Sequence, residues 1–154
     1  LGLSGTFDKL FEEKPLPKTP LKYQLDGVGN GEINDPDVIY GETWVNAPAY
    51  PDLPTSNERN KVFKSRNRSL YAWSFLQMQD AGISIREKLT LFWHNHFVSE
   101  NVNPHREFFY MNILRTNALG NYKELTKQIT TDPNMLLYLS GSQNTSAAPN
   151  ENYS

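Results

Sequence analysis

The residues best suited to chemistry fall in one short stretch, Phe92-Trp93-His94-Asn95-His96-Phe97, which holds two of the three His in the chain. An imidazole titrates near neutral pH and ligates metals, so either His can serve as acid, base or ligand. At about 100° per helical residue, His96 shares a face with Leu89 and Phe92, and His94 falls on the other side. Residues two apart on a helix do not face each other, so His94 and His96 cannot hold one metal ion from a regular helix. His96 and Glu100 are four apart. That spacing suits a His and a carboxylate on one metal, or a His oriented by a carboxylate, provided the helix reaches Glu100. His105 and Glu107 follow closely and could fold back toward this end. The favoured reading of His96 is a buried imidazole donating to a carbonyl or carboxylate. The second is a His at a pocket wall. The run is not an HExxH zinc motif, because no second His follows at the fourth position.

Two more groups complete the set. Arg115 lies beside Met111 and Leu114 on an apolar face, where a guanidinium needs a carboxylate, a carbonyl cluster or a bound anion. An ion pair with Glu87, Glu107 or Glu124 is favoured over an anionic ligand. Pro149-Asn150-Glu151-Asn152-Tyr153 sets an acid between two amides. The catalytic candidates are therefore His94, His96 and Glu151. The ligand-binding candidates are Asn95, Arg115, Asn150 and Asn152, and the metal candidates are His96 and Glu100. No Ser sits in a GxSxG elbow, and Gly27, Gly29 and Gly31 lack the spacing and the Lys of a phosphate loop. Asn67-Arg68-Ser69 and Asn144-Thr145-Ser146 match the glycosylation pattern.

The elements that must position these residues are helices. A short helix fits residues 1–11. Pro15, Pro17, Pro20, Pro36, Pro48, Pro51 and Pro54, with four Gly, exclude a long helix over the next stretch. Residues 38–45 could hold a short strand or hairpin. From Asn57, a stripe of Val62, Phe63, Leu70, Trp73 and Leu76, widened by Phe75 and Met78, predicts a helix ending before Gly82. Its first half is basic, with Arg59, Lys61, Lys64, Arg66 and Arg68 against Glu58, and reads as a solvated face. Ser84 with Glu87 forms a capping box for a helix over residues 85–98. Asn103-Pro104, Asn121 with Glu124, and Asp132-Pro133 open three more. Phe108, Met111, Leu114 and Ala118 line the first of these, and Leu125 and Ile129 the second. After Gly141 the chain reads as a loop or frayed end. The aromatic stripe of Trp73, Trp93, Phe97 and Phe108 reads as core.

The fold class is thus all-α: an irregular antiparallel helix bundle around one core, preceded by a long Pro/Gly-rich loop region. Residues 1–56 form the short helix and irregular segment, 57–140 the helical core, and 141–154 a polar tail. The chain carries eight Phe, eight Tyr and three Trp, too many rings for a fibrous or disordered protein. Fifteen basic residues against seventeen acidic give a net charge of −2, so nothing drives the chain as a whole to nucleic acid. No apolar run approaches the length of a transmembrane helix. Cys is absent, which removes disulfides, thiolate nucleophiles and Cys-ligated metals.

Several ordered motifs carry a family resemblance. Arg86-Glu87-Lys88-Leu89 leading into Phe92-Trp93-His94-Asn95-His96-Phe97 resembles the DUF1800 family of uncharacterised bacterial proteins. Leu114-Arg115 with Ala118-Leu119-Gly120-Asn121-Tyr122 is similar to its next helix pair, and Asp132-Pro133 with Tyr138-Leu139 fits as well. Residues 149–153 resemble the start of its NENYARE-type motif, which the chain leaves unfinished. The resemblance implies an N-terminal piece of a longer bacterial protein and export to the periplasm, outer surface or medium. It implies partners in the rest of the same polypeptide and in an envelope protein or polysaccharide.

Three functions compete. The first is an exported helical protein with a binding or scaffold role. The second is a hydrolase or metal-assisted enzyme whose His/carboxylate site is completed by the remaining C-terminal part. The third is a carbohydrate-binding protein, for which Trp44 and Tyr50 are the candidate rings. No cofactor is specifically expected, a divalent metal being the one considered.

Overall fold

A computed structural model gives the fold and describes residues 3–11, 18–23, 35–100 and 103–150. Among these residues lie six α-helices: α1 (Leu3–Leu10), α2 (Ser56–Asp80), α3 (Arg86–His96), α4 (Pro104–Thr116), α5 (Tyr122–Thr131) and α6 (Pro133–Tyr138), followed by a 3-10 turn, Gly141–Gln143. The fold is all-α. The hairpin expected over residues 38–45 is absent. That segment forms turns, and Thr43 pairs only once, in an isolated bridge to Leu21.

The start signals act as their chemistry dictates, with two exceptions. Asn103 Oδ1 accepts from the His105 amide at 3.0 Å, and Pro104 fills the first helical position of α4. Asn121 Oδ1 accepts from the amides of Lys123 and Glu124, and Asp132 Oδ1 from that of Asn134. The two expected capping boxes are only half formed. Ser84 Oγ sits 3.4 Å from the Arg86 amide, but Glu87 turns inward to Arg115. Glu124 takes Lys127 Nζ at 2.9 Å instead of returning to Asn121.

The chain divides into two compact units. The expected single core is replaced by two hydrophobic clusters, one in each. The first unit comprises Leu1–Lys14, Ala81–Asn101 and Phe109–Ser154. Its core joins Tyr110, Met111 and Leu114 of α4 to Leu125 and Ile129 of α5 and Met135 of α6, with Trp93 and Phe97 against the edge. Leu114 follows Tyr110 by four and Met111 by three, and Ile129 follows Leu125 by four, which places each set on one helix face.

The second unit comprises Pro15–Asp80 and Val102–Phe108. Here α2 and the first turn of α4 pack on the irregular segment. The core is Val38, Trp44, Val45, Leu70, Trp73 and Phe108. The buried face of α2 is unusually polar: Val62, Leu70 and Trp73 alternate with Ser65, Arg66 and Ser69. The cause lies in the partner. An irregular segment cannot pair all its carbonyls in a helix or sheet ladder, yet a buried carbonyl must be satisfied. Side chains supply the donors. Arg66 donates to the carbonyl of Pro48 at 2.8 Å, Ser69 to that of Leu21 at 2.6 Å, and Trp73 Nε1 to that of Lys18. Lys22 Nζ reaches the carbonyls of Asp35 at 3.0 Å and Val38 at 2.7 Å. Leu76 and Phe75, expected on the buried stripe, are exposed.

Candidate functional site

The face of α3 that points inward is the opposite of the one hydropathy suggests. Glu87 and Thr90 are its buried residues, with Trp93, His94 and Phe97 half-buried. Phe92 is 55% exposed and Leu91 45%, and Asn95 and His96 lie exposed beside them. The buried reading of His96 is thereby corrected. Its ring lies parallel to that of Phe92, within 4° and with centroids 6.3 Å apart. The rotation follows from Arg115. Its guanidinium is completely buried and binds Glu87 through both carboxylate oxygens, Nε to Oε1 at 2.9 Å and Nη2 to Oε2 at 3.0 Å. A buried cation must be neutralised, and drawing Glu87 inward turns Phe92 out. Arg115 is therefore the structural ion pair favoured from sequence, with Glu87 the partner chosen among three.

The condition on the His96–Glu100 pairing, a helix that reaches Glu100, is not met. The helix ends at His96, and the Phe97 amide closes on the carbonyl of Trp93. Glu100 lies beyond the end in irregular chain, so the four-residue helical spacing does not apply. Among the described residues no group of three or more His, Cys, Asp and Glu could hold a metal ion. His94 sits half-buried, its ring edge-on to Tyr110 at 6.1 Å. The hydroxyl of Tyr110 donates to the carbonyl of Phe97. Asn150 spends its side-chain amide on the carbonyls of Leu139 and Ser140, each at 3.1 Å, where it closes the end of α6. Glu151 and Asn152 lie outside the described residues.

Trp93, Phe97 and Tyr122 make a second aromatic group. Their planes lie within 32° of one another, and their centroids are 5.5 to 6.3 Å apart. Such separations are those of offset ring pairs, so these rings turn their faces to one another. Tyr122 is 53% exposed and continues the aromatic surface of α3. Trp44, a candidate sugar platform, is fully buried with its indole N–H on Ser69 Oγ at 3.1 Å, and offers no face to a ligand. Tyr50 is exposed, takes a hydrogen bond from Arg106 at 2.6 Å and meets Phe63 edge-on.

One charged cluster escaped the sequence reading. In the second unit Arg66, 1% exposed, grips Asp35 through Nε at 2.6 Å and Nη2 at 2.9 Å. His105 lies against it, with Nδ1 3.5 Å from Arg66 Nη1 and Nε2 2.9 Å from the carbonyl of Ala47. Burial first, and then the Arg66 charge, lower the pKa of His105 below its ordinary value. Hydrogen bonds to the backbone of Ala47 and Trp44 and the charge of Asp35 oppose the shift. The charge pattern of α2 places Arg66 on a solvated basic face, and the structure buries it instead. The only sequence hint was its place beside Ser65 and Ser69 on the same side as Val62, Leu70 and Trp73.

His96→Ala should therefore change stability by no more than about 0.5 kcal/mol, as for an exposed position. Urea denaturation checks this. A loss of several kcal/mol would restore the buried reading.

The observations define a helical protein in which Arg66 and Arg115 are buried against carboxylates and an aromatic surface runs along α3 to Tyr122. The chain belongs to the DUF1800 family, described as proteins of unknown function, whose sequence profile matches residues 1–154. Searches of curated proteins and of solved structures found no match. Among the described residues no helix is long and apolar enough to cross a membrane.

Proposed function

We propose that this is an exported bacterial protein with a binding or scaffold role, and that the outer face of α3 makes the contact. The observation that carries the reading is the exposure of Phe92, Asn95 and His96 on one helix face, with Tyr122 against the adjoining Trp93 and Phe97. Rings with adjoining polar groups form adaptable, energetically strong contact surfaces. Arg115 and Arg66, by contrast, already serve buried carboxylates. The export element of the proposal rests on the family resemblance, and an envelope polysaccharide is the partner chosen for the test.

Co-sedimentation of the purified protein with peptidoglycan sacculi tests the reading, with Phe92→Ser as the comparison. Saturable binding is expected, weakened at least about tenfold in the variant, since a truncated contact residue can cost about 1–2 kcal/mol or more. The thermal midpoint should hold. Equal binding by both proteins, or by neither, would overturn the assignment of this face.

A further inference from the structure

We propose that His105 is an acid-sensitive latch: its neutral ring packs the first turn of α4 against the 35–50 segment, and taking up a proton sets it against Arg66 and weakens that packing. The protonation state follows from the neighbours. Nε2 faces the carbonyl of Ala47 at 2.9 Å, an acceptor, so this nitrogen carries the hydrogen. Nδ1 faces Arg66 Nη1 at 3.5 Å, and a guanidinium can only donate, so Nδ1 presents its lone pair. A second proton has one place to go. It would lodge on Nδ1 and point at a permanent cation.

Arg66 cannot step aside. Nε and Nη2 are held by Asp35, and Nη1 by the carbonyl of Pro48 at 2.8 Å. The backbone of Ala47 and Trp44 and the charge of Asp35 offset the repulsion only in part, and the nearby carboxylates are turned to Arg66. Both oxygens of Asp35 are engaged by Arg66, and Asp37 lies 3.9 Å from Nη2. Lys22 Nζ is bound to the carbonyls of Asp35 and Val38, adding a further cation to that segment. On α4 itself, Arg106 turns to the Tyr50 hydroxyl, and Glu107 lies half-buried two residues on. His105 is also the second residue of α4, at the positive end of the helix dipole. His105 is 5% exposed and its ring packs edge-on against Trp44 at 5.2 Å, so water cannot screen the repulsion well.

The direction of the pH dependence follows. The lowered pKa in the folded state means that the unfolded chain takes up the proton first. The stabilisation is complete above the ordinary value of 6.5 and is lost as pH falls from 6.5 through the lowered folded-state value.

Two measurements test the latch. The first is a nuclear magnetic resonance titration of the three imidazoles, with His105→Gln assigning the signal. The second is urea unfolding of both proteins at about pH 7.5 and about pH 5.5, where one proton taken up only on unfolding weakens folding by at most about tenfold per pH unit. His105 should titrate below the other-wise ordinary 6.5, and the variant, which keeps an N–H donor and cannot protonate, should lose that part of the slope. An imidazole titrating at or above 6.5, or an unchanged slope in the variant, overturns the proposal. If His105→Gln does not fold, exchange of the Arg66 Nε–H in the unaltered protein decides. It should accelerate with the His105 midpoint, and exchange indifferent to that midpoint overturns the latch.

Discussion

Arg115→Met should lose about 3–5 kcal/mol of stability, the cost of leaving one member of a buried pair without its partner. Arg115 is completely inaccessible, and the Glu87 side chain is 10% exposed, so water cannot replace the guanidinium. The two hydrogen bonds are parallel and charge-assisted, and Lys cannot reproduce that fork. The comparison that isolates the pair is the double variant Arg115→Met with Glu87→Leu. It removes both charges together, and it should recover most of the loss, because desolvating the pair already costs much of what its attraction returns. Urea denaturation of the four proteins of this cycle measures the coupling. A single variant within about 1 kcal/mol of the parent would mean that Glu87 finds solvent readily.

Trp44→Ala is the other large effect, again about 3–5 kcal/mol. The indole is fully buried, stands edge-on to His105 at 5.2 Å and to Phe108 at 6.2 Å, and donates to Ser69 Oγ. Truncation removes the centre of the second unit's core and leaves a cavity that an irregular segment fills poorly. Trp44→Phe keeps most of the apolar volume and loses the hydrogen bond, so it should cost much less than Ala. Thermal and urea unfolding of the two variants give the ordering. Equal losses would make the hydrogen bond, rather than the packing, the dominant contribution.

The helices were legible because their ends are written in local chemistry. Asn103-Pro104, Asn121 and Asp132 mark starts with side chains that accept backbone amides within three residues. The face of α3 was not legible. Hydropathy weights Phe92 above Glu87, but Arg115, 28 residues away in sequence, reverses the order by demanding a buried carboxylate. His96 was misplaced for the same reason. Arg66 was misread because Asp35 lies 31 residues upstream in a stretch without periodicity. A charge pattern along one helix carries no sign of such a partner. Arg115 shows the other side of this limit. Its apolar surroundings did announce a neutralising partner, although only the fold could choose Glu87 over Glu107 and Glu124.

The way the irregular segment is held also decides which substitutions its lineage can accept. Its carbonyls at Lys18, Leu21 and Pro48 are the groups that α2 recognises, and the side chains of those three residues are exposed. A carbonyl is the same on every amino acid, so recognition of this kind is blind to residue identity. Those positions can drift as long as the backbone path is kept. The donors Arg66, Ser69 and Trp73 cannot, because each supplies a particular reach and geometry. The path of its described residues is thus encoded largely in the helix they cover, and two descendants could share that path while sharing few of its letters.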